Sequence, residues 1–113
     1  MGRLTVPTIA ADEARPIAEA FLAELRTGKA DRIDAAWAGT TAEFKSNQGQ
    51  EQFRKYVRGQ KRLAEPAEFQ GSDMAERNGL RVADCRFQAR TGPVRVLLAW
   101  EAERWKVERV LVE

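Results

Sequence analysis

The chain contains no histidine. That excludes a Ser-His-Asp or Cys-His nucleophile system and every metal site built on imidazole. Its one cysteine, Cys85, leaves no partner for an internal disulfide and rules out a thiolate zinc cluster. No apolar run approaches the roughly 18 residues a membrane-spanning helix needs. The first ten residues, MGRLTVPTIA, lack the apolar h-region of a signal peptide. The expectation is a soluble chain, cytoplasmic by default unless an export signal or anchor was removed. G-x-S-x-G, P-loop and G-x-G-x-x-G motifs are missing, as is any repeat period. Neither sign of charge is scarce: 19 basic against 17 acidic groups leave a net charge of +2, too small an excess to name a partner.

What is present suits one globular domain. At 113 residues, 43% apolar and 32% charged, the chain is long enough to bury about two-thirds of its unfolded surface. Residues 1–11 follow neither helical nor strand period and read as a loose arm; residues 12–113 read as a single domain. Asp12 predicts an N-cap with Pro16 in the tolerated early turns. Ala14, Ile17, Ala18, Phe21 and Leu25 then form one helical stripe that ends near Thr27 and Gly28. Asp31 predicts the cap of a second helix through Ile33, Ala36 and Trp37. Thr40 and Glu43 fit a capping box for a short third helix carrying Phe44 inward. A fourth, over residues 50–60, places Phe53, Tyr56 and Val57 on one side.

After Pro66 the period changes to two. A first strand is expected over residues 67–75, and Asn78-Gly79 is a strong hairpin signal. Residues 80–90 alternate Ala83, Cys85, Phe87 and Ala89 with Asp84, Arg86, Gln88 and Arg90. Gly92-Pro93 is expected to turn the chain into VRVLLAW, and a charged turn at 101–104 leads to the final strand. The fold class is therefore α+β, with N-terminal helices packed on a curved four-stranded antiparallel sheet. The last two strands keep imperfect phase. Leu97 and Ala99 fall opposite Val94, Val96 and Leu98, while Val110 and Val112 oppose Trp105 and Val107. The second face of these strands needs the N-terminal arm, strong sheet curvature, a β-bulge near Glu108 and Arg109 that re-phases the last strand, or a partner molecule; the expectation is a homodimer through Leu97, Ala99, Val110 and Val112.

A helix pair, then Thr40, Thr41 and Phe44, then Phe53, Tyr56 and Val57, and a strand bearing Arg104, Trp105, Lys106 and Val107 resemble the nuclear transport factor 2-like, or cystatin-like, superfamily. The resemblance is to its small bacterial, lumazine-binding-like members and spans about residues 12–113. It implies a conical pocket between helices and sheet, with Trp37, Phe53, Tyr56, Phe87 and Trp100 as lining candidates. The expected function is non-enzymatic binding, either of a small apolar or aromatic ligand in the cone or of a protein at the sheet face. The alternative is a cyclase- or isomerase-like enzyme with a pocket carboxylate. No catalytic residue, metal ligand or cofactor is assigned. Asp84, set among strand arginines, reads as part of a surface ion pair, and Cys85 as a buried thiol.

Arg54, Lys55, Arg58, Lys61 and Arg62 form a basic run without an intervening acid. Such a run can track phosphates, with Tyr56 as a stacking ring. Because Tyr56 also belongs to the apolar stripe of its helix, a solvated basic face is the preferred reading.

Overall fold

The computed structural model describes the backbone from residue 5 to 113, and side-chain surroundings from residue 13. Four helices precede four strands: α1 (Thr5–Arg26), α2 (Ala30–Ala38), α3 (Ala42–Asn47), α4 (Gln50–Gly59), then β1 (Ala67–Arg77), β2 (Leu80–Ala89), β3 (Gly92–Glu101) and β4 (Arg104–Val112). A 3₁₀ turn at Lys61–Ala64 joins the halves. The strands form one antiparallel sheet in the order β1-β2-β3-β4. This is the α+β architecture that the change of period predicts. Among the described residues, no helix is long and apolar enough to cross a membrane.

Helix starts depart most from expectation. Residues 1–4 of the expected arm lie outside the described residues, but α1 begins at Thr5, so position 12 lies inside the helix rather than at its N-cap. The helix continues through Pro16, which lacks the N–H of one helical bond. Burial of Ala14, Ala18, Phe21, Leu22 and Leu25 offsets that loss, because α1 packs against all four strands. Asp31 lies in the first turn of α2, whose N-cap is Lys29. Thr41, not Thr40, caps α3: its hydroxyl accepts the Phe44 N–H at 3.1 Å. Thr40 is committed elsewhere. It bridges to Val107 in parallel, flanked by the Thr41 N–H donated to the Val107 carbonyl at 2.9 Å. Its own hydroxyl donates to the Trp37 carbonyl at 2.6 Å.

Asn78 and Gly79, at φ 53° and 80°, close the β1–β2 hairpin as expected. The next turn falls at Arg90-Thr91 rather than Gly92-Pro93, since Gly92 already pairs with Ala89. Its place is fixed by the preceding 3₁₀ turn. Arg62 donates to the Thr91 and Pro93 carbonyls at 3.1 and 3.2 Å, and Thr91 donates its N–H to Glu65 at 2.9 Å. That backbone bond holds the Glu65 carboxyl below its ordinary range. A Cβ on Gly92 would lie 2.6 Å from the Arg62 guanidinium carbon, and its φ of 154° also disfavours a side chain.

Of the alternatives for the last strand, a bulge is present on β4. Leu97 pairs with Arg109 and Leu98 with Val107, leaving Glu108 as the extra residue. It carries the apolar face of β4 from Trp105 and Val107 to Val110, all buried in the core, and to Val112, which packs against it. Val110 and Val112 therefore leave the proposed dimer face. Ala99 is also buried, beside Val82, while Leu97 is half-buried. The outer face is covered largely by its own charged side chains. Arg86 pairs with Asp73, Arg95 with Asp84, and Lys106, the cross-strand partner of Ala99, with Glu101.

Candidate functional site

The core between helices and sheet is filled. Phe53 is fully buried, with Phe44 edge-on at 5.4 Å and Phe21 at 6.2 Å between ring centroids. Phe87 is buried beside Phe69. Trp100 is half-buried and edge-on to Trp105 at 5.4 Å. The half-buried indole of Trp37 donates its N–H to the Gln48 carbonyl at 2.9 Å, tying α2 to the end of α3. None of these four lines the cavity that opens between α3, α4 and β4. Of the five pocket candidates, Tyr56 does.

That cavity holds about 430 Å³, within the size range of small-molecule sites. It lies where α3, α4 and the bulged half of β4 meet. Thr41 caps α3 from within the chain, and Glu101 accepts the Ala42 N–H at 3.2 Å. Together these bonds fix α3 over the β3–β4 hairpin. Phe44 on α3, Tyr56 on α4 and Val110 and Leu111 on β4 supply the apolar wall. Glu43, Asn47 and Gln48 line the α3 side. Burial pushes the Tyr56 phenol above its ordinary pKa, so it stays a neutral donor at physiological pH.

Two residues complete the site that sequence reasoning passed over. Glu108 sits at the bulge with 8% of its side chain exposed, and one carboxylate oxygen forms an ion pair with Arg77. Arg77 closes β1, at the opposite edge of the sheet from β4. Three strand spacings are about 14 Å on a flat sheet, so this contact requires the sheet to curl. Bulges on β1 between Phe69 and Gly71, and on β4 at Glu108, supply bending. Among the described residues no donor reaches Glu108 Oε1, although it is buried. Parity beyond the bulge was the one signal available: a residue inserted between Val107 and Arg109 turns toward the concave side.

Other sequence candidates have structural partners. Asp84 accepts from Arg95 at 2.5 and 3.2 Å on the outer face, away from the cavity. Arg54 pairs with Asp34 at 2.8 Å, Arg58 donates to the Gly28 carbonyl, and Arg62 holds the Thr91 turn. Lys55 and Lys61 remain exposed on the basic run. A second cavity, of about 170 Å³, lies between α1 and α2 and is lined by Ile17, Phe21, Ala36 and Glu24. No cluster of acidic or cysteine side chains among the described residues is arranged to hold a metal ion. No family model matches the chain, and neither a curated protein nor a solved structure shows significant similarity to it.

Proposed function

We propose that the chain is a non-enzymatic binding domain of the nuclear transport factor 2-like kind, holding a small apolar or aromatic ligand between α3, α4 and β4. One observation carries the reading: a cavity of about 430 Å³ contains a carboxylate whose side chain is more than nine-tenths buried and one of whose oxygens meets no donor among the described residues. Binding sites combine apolar walls with a few converging polar groups, and Phe44, Tyr56 and Val110 stand beside Glu108 in that way. Helices preceding a curled antiparallel sheet are in keeping with the superfamily resemblance, though fold alone does not choose a function.

A cyclase- or isomerase-like activity would require Glu108 to take up and return a proton. Arg77 engages one of its oxygens, and the chain has no histidine to relay the proton, so the acid is better arranged to hold a donor. A protein partner at the sheet would meet a face laced with ion pairs. Titration of isotope-labelled protein with a library of small aromatic fragments tests the reading. Amide shifts concentrated at Phe44, Tyr56 and residues 108–111 are expected; a library that leaves those residues unmoved overturns it.

A further inference from the structure

We infer that the cavity selects an uncharged ligand that presents an O–H or N–H donor to Glu108 Oε1 from an apolar, ring-sized body. This rests on the binding reading above and adds the chemical class of the ligand. The free oxygen is the first reason. Buried carboxylate oxygens are satisfied almost without exception, and among the described residues Oε1 has no donor while the other oxygen is engaged by Arg77. A ligand donor reaching Oε1 makes a charge-assisted bond, stronger than one between neutral groups.

Charge balance is the second reason. Glu43 and Glu108 face Arg77 and Arg109 around the same cavity, so its lining carries equal numbers of acids and bases. An ammonium group brought to Glu108 would stand beside the Arg77 guanidinium, and a carboxylate would meet the Glu108 charge. A neutral hydroxyl or N–H meets neither repulsion. Phe44, Tyr56 and Val110 then cover the remainder of a ring-sized body.

Phenol, toluene, benzylammonium and benzoate share one ring and differ in the group offered to Glu108. Titrated into the full chain and followed by amide shifts at Phe44, Tyr56 and Glu108, phenol should bind about tenfold or more tighter than toluene. It should also bind tighter than either ion. Toluene matching phenol, or either ion surpassing it, overturns the inference and leaves the cavity a binding site. If none of the four shifts those residues, the binding reading falls as well. In Glu108→Leu the preference for phenol over toluene should vanish, and its survival overturns the inference. Arg77→Met keeps the carboxylate and removes its counter-charge, so benzylammonium should overtake phenol; an unchanged order likewise overturns the charge argument.

Discussion

Cys85 lies on β2 with no exposed surface, and burial, with the neighbouring Asp84 charge adding to it, pushes its thiol up to about 11. Thiolate is the reactive form, so the folded protein should react with a thiol reagent at pH 8 only as fast as it unfolds. A prompt stoichiometric reaction would contradict that placement. The same shift links stability to pH. Between the ordinary value of 9.0 and about 11, the folded thiol keeps a proton that the unfolded thiol gives up. Stability is therefore fully present below that window and falls as pH rises through it. The loss attributable to Cys85 is on the order of 2 kcal/mol. Urea melts of the parent and Cys85→Ala at pH 8 and pH 10 isolate it, the parent losing more than the variant. An equal loss in both would assign the thiol an ordinary pKa.

Elements differ in how openly the sequence announces them. Asn78-Gly79 specifies its hairpin because only certain residues tolerate two successive positive φ angles. The β4 bulge is legible because Val110 and Val112 change parity, and period two makes such a change conspicuous. Helix starts are less open, since a cap depends on which neighbour competes for the chain. Thr40 and Thr41 are chemically alike, but β4 takes Thr40 and leaves Thr41 to cap α3. Thr41→Ala should consequently cost about 1 kcal/mol or more in a denaturant melt, whereas Asp31→Ala, which removes no cap, should cost less than half as much. Equal costs would give Asp31 a capping role at the start of α2, against its place within the first turn. Register gives a sharper contrast. Val110→Asp places a charge in the core and should destabilise by more than about 3 kcal/mol, while Leu97→Asp should remain within about 1 kcal/mol. The reverse order would mean that Glu108 is not the extra residue.

Over the whole molecule, the candidate site is hidden from sequence because it depends on the curl of the sheet. Arg77 and Glu108 are 31 positions apart in the chain and occupy opposite edge strands, yet curvature joins them over the concave side. Trp37, Phe53, Phe87 and Trp100 suggest a lined cone by their chemistry, and instead they pack the domain or hold its corners. The convex side follows from the same curvature. Bulging moves Val110 and Val112 inward, and three ion pairs spread over the face they leave. Association through that face would have to rely on Leu97, which is half-buried already, and on Leu80, exposed at the start of β2. A stable interface needs on the order of 800 Å² from each partner, far more than two leucines supply. Leu97→Asp should therefore leave the sedimentation mass of the parent unchanged at every concentration where both are folded. A fall to half the parental mass would place a dimer interface across the convex face and show that its ion pairs tolerate burial between two copies.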